Sequence, residues 1–302
     1  MTAPDVRHVS VRGRQLAVQI RGAGATVVME MGGGFGGIGP YWFVDDELAK
    51  FCRVLVYDRA GLGGSEGLQG YPTMAERAQD LAALLDALDI REPALFVGWS
   101  LGGLIAQNFA ARYPERVGAM LLIDPTPPDT LENLGPLARW AFSVAIGSMN
   151  RFLLLLARAG VLKTQPGRNL MRKIASVQFG PHIPPKYAEL VVEALVQPSA
   201  HRAMILETGR LLDACQETRR QITERGLPRI PTVLLAATHR ANNSEKMRSG
   251  NLFKWLLDRM PGAEMRELPE TGHFIPPEAP DSVIQAVRDL LARIAPGRSR
   301  EN

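Results

Sequence analysis

The chain has 302 residues, 46% of them hydrophobic and 22% charged, and 35 Lys and Arg against 31 Asp and Glu leave a formal net charge of +4. That excess is small for the length, and Arg219-Arg220 and the Arg298 to Arg300 tail are short, so no stripe suggests a nucleic-acid partner. Two cysteines, Cys52 and Cys215, exclude a disulfide framework or a four-ligand zinc site and read as buried small residues of a reducing compartment.

The opening MTAPDVRHVSV lacks the apolar core of a secretory signal. The strongest apolar run, Phe152 to Ala157 between Arg151 and Arg158, is far too short to span a bilayer. The expectation is a cytoplasmic globular protein, monomer or homodimer, with no membrane partner. A prior of about 150 residues per domain allows two domains, although an α/β core of this size often carries an insertion instead.

In chain order, His8 to Val11 and Gln15 to Arg21 alternate like a hairpin around Arg12-Gly13-Arg14. Thr26 to Glu30 is a short apolar strand running into Gly32-Gly33-Gly34-Phe35-Gly36-Gly37, and Arg53 to Asp58 is another. Leu81, Leu84, Leu85 and Leu88 share one helix face. Ala94 to Trp99, Ala119 to Ile123 and Thr232 to Ala236 read as buried parallel strands, and Glu264 to Leu268 as a weaker one. The closing helix sets Val283, Val287, Leu290 and Ile294 on one side. Between Pro125 and Leu227 the alternation stops, with helical apolar clusters and prolines at 166, 181, 184, 185 and 198. A structureless loop of such length is improbable, so a helical insertion is expected. The predicted fold is α/β: a mostly parallel eight-stranded sheet with helices on both faces. The core spans 1–125 and 229–302, and the helical cap 126–228. In such sheets, chemistry is sought just beyond the carboxyl ends of the strands.

Gly98-Trp99-Ser100-Leu101-Gly102 matches G-x-S-x-G between a predicted strand and a predicted helix, the context of a nucleophile elbow. Glycines at 98 and 102 relieve the crowding of a strand that turns sharply into a helix. The hydroxyl then sits at a helix N-terminus, where the dipole and free N–H groups favour developing negative charge. At this point the chain resembles the α/β-hydrolase superfamily over nearly its whole length. The resemblance rests on the glycine run, the DRAGLGGS stretch (Asp58 to Ser65), GWSLGG, ARYPERV (Ala111 to Val117) and Gly272-His273-Phe274. The LLIDPTPPD stretch (Leu121 to Asp129) looks like a bacterial group of serine hydrolases within it.

A serine nucleophile needs a base, and His273, in a glycine-flanked loop before the closing helix, follows in the order the motif requires. His8, His182, His201 and His239 lack that context. The acid departs from the common pattern: after Thr232 to Ala236, where relatives carry a carboxylate, the chain reads Ala237-Thr238-His239-Arg240. Asp124, at the end of the preceding strand, is the candidate acid, since pancreatic-type lipases and the LLIDP-like group place theirs there. Glu245 and a Ser–His dyad are the alternatives. The resemblance implies an oxyanion hole from the N–H groups of Leu101 and Gly33, with Gly34 as runner-up donor. Gly34, Phe35 and Trp99 are candidate pocket residues, Trp99 being equally readable as core packing. Tyr41, Trp42, Trp140, Phe142 and Phe274 are further aromatics that fit a pocket wall but more often pack a core. No Gly-Lys-Ser/Thr ending or G-x-G-x-x-G helix makes the glycine run a phosphate loop.

The expected function is a serine hydrolase with no cofactor and no metal, cleaving an ester, lactone or thioester of a small to medium hydrophobic substrate. Haloalkane dehalogenase and epoxide hydrolase are disfavoured, because their nucleophile position carries aspartate. Carbon–carbon bond hydrolysis, a biosynthetic lyase or cyclase, and a non-catalytic ligand binder on the same fold are the other readings, because fold does not determine function.

Overall fold

Arg12 and Gly13 both take positive φ, 48° and 80°, the geometry of a two-residue turn whose twist suits a hairpin. That turn closes β1 (Val6–Val11) onto β2 (Arg14–Arg21) as an antiparallel pair with Val11 opposite Arg14. The computed structural model describes residues 6–38, 43–67, 70, 72–130, 135–179, 184–238 and 252–294. Six more strands follow: β3 (Thr26–Glu30), β4 (Arg53–Tyr57), β5 (Ala94–Trp99), β6 (Val117–Ile123), β7 (Thr232–Ala237) and β8 (Glu264–Leu268). They form one sheet in the order β1-β2-β4-β3-β5-β6-β7-β8. β2 runs antiparallel to β4, and from β4 onward every pairing is parallel. The mostly parallel eight-stranded sheet is thus as the sequence predicts, with β1 and β6 each starting two residues earlier.

Alternation along the strands divides the core. Val27, Met29, Leu95, Val97, Leu121 and Leu235 face one layer, which includes Val283, Val287 and Leu290 of the closing helix. Val28, Leu55, Phe96, Met120, Leu122 and Leu234 face the other, packed with Leu81, Leu84 and Leu85. The first of these layers is completed by short α1 (Asp45–Leu48). The second holds α2 (Met74–Ala87) and α3 (Leu101–Arg112). α2 starts on a reciprocal cap, Thr73 Oγ1 accepting from the Glu76 N–H and the Glu76 carboxylate accepting from the Thr73 N–H.

Among the described residues, five α-helices lie between β6 and β7: α4 (Pro136–Arg158), α5 (Gln165–Phe179), α6 (Pro185–Leu195), α7 (Pro198–Thr208) and α8 (Leu211–Arg225). Proline opens α4, α6 and α7, where its missing N–H costs no helical bond. The fifth helix belongs with the core layer: it packs on α3 and α2. Glu217 of α8 accepts from the N–H groups of Met74 and Ala75 at 3.0 and 2.8 Å, two donors that α2 itself leaves unpaired. α7 instead lies against the loops after β3 and β4, with Met204, Leu206 and Thr208 facing Gly34, Gly61 and Gly33. α4 packs on α7, and α5 on α6. After β7 come α9 (Lys254–Leu257), β8, α10 (Ile275–Glu278) and α11 (Pro280–Ile294). Among the described residues no helix is long and apolar enough to cross a membrane.

Candidate active site

Ser100 sits where β5 turns into α3, with φ 54° and ψ −118°, a strained conformation for a residue with a side chain. The turn is held by the Ser100 N–H donating to the Ile123 carbonyl at 3.1 Å. Only glycine fits the flanks. A Cβ on Gly98 would lie 2.6 Å from the Gly102 carbonyl oxygen, and one on Gly102 would lie 1.9 Å from that of Glu30. Backbone contact on both sides gives the turn no room to relax.

Asp124 follows β6 at φ 37°, its N–H bonded to the Leu235 carbonyl at 2.8 Å. This anchors a buried carboxylate between the ends of β6 and β7. Its Oδ1 accepts from the Ala237 N–H at 3.3 Å, and its Oδ2 lies 2.6 Å from His273 Nδ1. His273, in the loop between β8 and α10, turns its other nitrogen to the serine, with Nε2 3.0 Å from Ser100 Oγ. Three side chains far apart in the chain thus form one continuous line across the ends of β5, β6 and β8. Glu245, the alternative acid, lies outside the described residues, as do His182, His239, Tyr41 and Trp42, and the side chain of Phe142.

Of the two readings of Trp99, the structure shows the packed one. Trp99 is 1% exposed, stacks on Phe274 with ring centroids 4.4 Å apart, and donates its indole N–H to the His273 carbonyl at 2.7 Å. Residue 99 therefore braces the backbone of the histidine loop, a role that no local pattern announces. Phe35 is buried too, beside Phe274 and Trp99. Gly32 passes over the indole so closely that a Cβ there would meet the ring at 2.6 Å.

Leu101 is the first residue of α3, so its N–H has no partner within the helix. Gly33 lies beside it, the Leu101 side chain being 3.4 Å from where a Gly33 Cβ would stand. The runner-up donor does not serve: the Gly34 N–H is spent on Glu207 Oε2 at 2.9 Å.

Glu207 is the residue that sequence reasoning missed. It projects from α7 into a buried cluster beneath the glycine loop. Arg59 meets it with two parallel bonds, Nε to Oε1 at 2.6 Å and Nη2 to Oε2 at 2.9 Å, and Arg77 adds a third at 3.0 Å. The remaining Arg59 donors hold the Met31 and Gly32 carbonyls at 2.8 and 3.0 Å and Glu30 at 3.1 Å. All five N–H donors of the guanidinium are therefore engaged. Burial pushes the Glu207 carboxyl up, but Arg59 and Arg77 outweigh it and hold the group below its ordinary range. Glu30 is the opposite case. Burial dominates despite Arg59 and the Tyr57 hydroxyl bonded to it, and its carboxyl is raised. Asp58 is also raised by burial, while accepting from the N–H groups of Gly64 and Ile38 at 2.8 and 3.1 Å. The sequence hints at this cluster through Asp58-Arg59, a pair that the family resemblance reads as bracing the loop by ion pair and hydrogen bonds, but not through Glu207. No group of three or more metal-ligating side chains occurs among the described residues.

A model of the alpha/beta hydrolase family matches residues 31–286, and the chain belongs to that family. It is similar, at 26% identity over 95% of this chain and 89% of the relative, to a cis-3-alkyl-4-alkyloxetan-2-one decarboxylase of Shewanella oneidensis. It is 42% identical to a pimeloyl-[acyl-carrier protein] methyl ester esterase of Chromobacterium violaceum, over 37% of this chain and 41% of the esterase. A solved structure described as a putative epoxide hydrolase from Pseudomonas aeruginosa shares the fold, with a TM-score of 0.72 at 20% identity over 97% of each chain.

Proposed function

From this membership we propose that the protein is a serine hydrolase acting on the carbonyl of an ester, lactone or thioester. The observation that carries the reading is the line from Ser100 Oγ through His273 to Asp124, with its 3.0 and 2.6 Å spacings. In this reading His273 Nε2 takes the hydroxyl proton as Ser100 Oγ bonds to the substrate carbonyl carbon. The oxyanion is held by the N–H groups of Leu101 and Gly33. Collapse of that intermediate expels the alcohol or thiol, which leaves with the proton from His273. Water then attacks the acyl-serine by the same route, releasing the acid and restoring the serine. Asp124 keeps Nδ1 protonated and stabilises the imidazolium that forms at each step. No cofactor or metal enters.

The test is labelling of the whole protein with a fluorophosphonate, read by intact mass and peptide mapping, with Ser100→Ala alongside. Stoichiometric modification at Ser100, absent in the variant, is the expected result. A folded wild-type protein that does not label overturns the covalent reading.

The decarboxylase similar over most of the chain favours a second reading at the same site. An oxetan-2-one is a strained cyclic ester, so the site would meet the same carbonyl. A β-lactone substrate separates the two: hydrolysis yields the β-hydroxy acid, whereas decarboxylation yields an alkene and carbon dioxide.

A further inference from the structure

Helix α4 gives only part of its surface to α7. Leu153 and Ala157 are buried, whereas Leu137, Trp140, Phe152 and Leu155 are 77%, 63%, 59% and 62% exposed, and Val144 and Met149 are exposed as well. At 100° per residue these positions fall on one arc of the helix, opposite the buried face. An apolar stripe therefore runs along α4 from Leu137 to Leu155, about 27 Å at 1.5 Å per residue. Isolated exposed apolar residues need no explanation, but a continuous band of this size marks a surface that another body covers.

The charge on this part of the chain says what kind of body. Pro136 to Phe179 contains seven Lys and Arg and no Asp or Glu, while the whole chain is only +4, so everything outside that segment is net acidic. Arg168 and Arg172 of α5 are paired with Glu189 and Glu193 of α6. Arg151 and Arg158 are exposed and make no ion pair among the described residues. Seven residues apart, they lie along one margin of the apolar stripe, where their long stems can cover it and their guanidinium groups can reach outward.

We propose that α4 is the face by which this protein lies on an anionic lipid surface. Large apolar side chains, tryptophan among them, bordered by arginine and free of acids are the composition of a helix that rests in the plane of a headgroup layer. The expectation of no membrane partner rests on the lack of a spanning segment, which does not bear on a helix that lies flat. A second copy of the chain fits less well. A two-fold contact along this face would bring Arg151 and Arg158 of both copies together with no carboxylate on the face to offset them. The net-acidic remainder is repelled by an anionic surface, which orients the molecule with α4 downward.

Co-sedimentation of the full chain with vesicles tests this, using phosphatidylcholine alone and phosphatidylcholine mixed with phosphatidylglycerol. The wild type is expected to pellet with the mixed vesicles and to release at high salt, where the charge contribution is screened. Phe152→Ser/Leu155→Ser and Arg151→Glu/Arg158→Glu should each lower the partition coefficient by about tenfold or more. All four side chains are exposed, so unchanged thermal melts verify that the variants fold. No pelleting with the mixed vesicles overturns the proposal, and so does wild-type partitioning by Phe152→Ser/Leu155→Ser. A concentration-dependent dimer in sedimentation velocity that the same variant abolishes, without vesicle binding, overturns it in favour of a second copy.

Discussion

Phe96 on β5 and Phe152 on α4 are the same side chain under two regimes. Phe96 is fully buried and stacks on Phe109 at 4.9 Å, in a strand paired on both sides, whereas Phe152 stands largely open on a helix with one packed face. The sheet surrounds its residues, so its strand ends can hold Ser100, Asp124 and His273 in strained or anchored backbone. The insertion meets the core through α8 on α2 and α3, through Glu207 of α7, and through buried apolar residues of α4 to α6 such as Leu153, Met171 and Val191, while the far side of α4 stays open. A region with a single packed side can present a surface and be adjusted without disturbing the chemistry. A region packed on both sides can hold atoms to a fraction of an ångström.

That contrast can be tested at several strengths. Asp124→Asn should lower kcat by about 10⁴-fold while the thermal melt stays near wild type, because the amide supports the wrong histidine tautomer. Steady-state kinetics on whichever acyl substrate turns over provides the measurement. Phe96→Ala should cost about 3–5 kcal/mol in urea denaturation, the penalty for emptying a closed core site. Glu207→Leu should cost about 3 kcal/mol, since it strands Arg59 and Arg77 without their shared carboxylate, and should leave the sheet intact by circular dichroism. An equal loss from Glu207→Gln would mean that charge, and not hydrogen bonding alone, holds α7.

A smaller effect comes from pH. His201 of α7 has its pKa lowered from 6.5 by burial, so the neutral ring favours the fold, and that contribution fades as pH falls below 6.5 through the folded value. Glu207, lowered from 4.5, loses its contribution on further acidification. Glu30, raised from 4.5, works the other way, contributing fully below that value and losing its part as pH rises. Asp58, also raised, acts like Glu30, so the test isolates His201: the melting temperature of the wild type relative to His201→Gln should fall as pH drops below 6.5. Smallest of all, Phe152→Ala should change stability by less than about 0.5 kcal/mol. A loss like that of Phe96→Ala would mean that the open face of α4 is covered in solution.

Much of the fold and part of the site are legible in the amino-acid sequence. The strands reveal themselves by short apolar runs, and the nucleophile turn by glycines at 98 and 102, because each signal depends on residues close in the chain. The candidate acid Asp124 is readable as an acid that closes an apolar run, at the place where the family resemblance puts one. Other parts are not legible. The Gly34 N–H looks available in the sequence, yet Glu207, 173 residues away, accepts from it. Trp99 reads equally as pocket lining or core packing, and only the tertiary structure shows its indole donating to the His273 carbonyl.

Local sequence thus determined which segments become strand, elbow and helix, because backbone strain and hydrophobic period act over a few residues. Tertiary structure decided which side of each helix meets the core. The run Phe152 to Ala157 reads as uniformly apolar, yet Leu153 and Ala157 are buried while Phe152 and Leu155 are open. A helix of that composition has more apolar surface than one neighbour can cover. How much remains outside depends on where the insertion docks, and that involves contacts far apart in the chain, such as Glu207 with Arg59 across 148 residues and Glu217 with the start of α2.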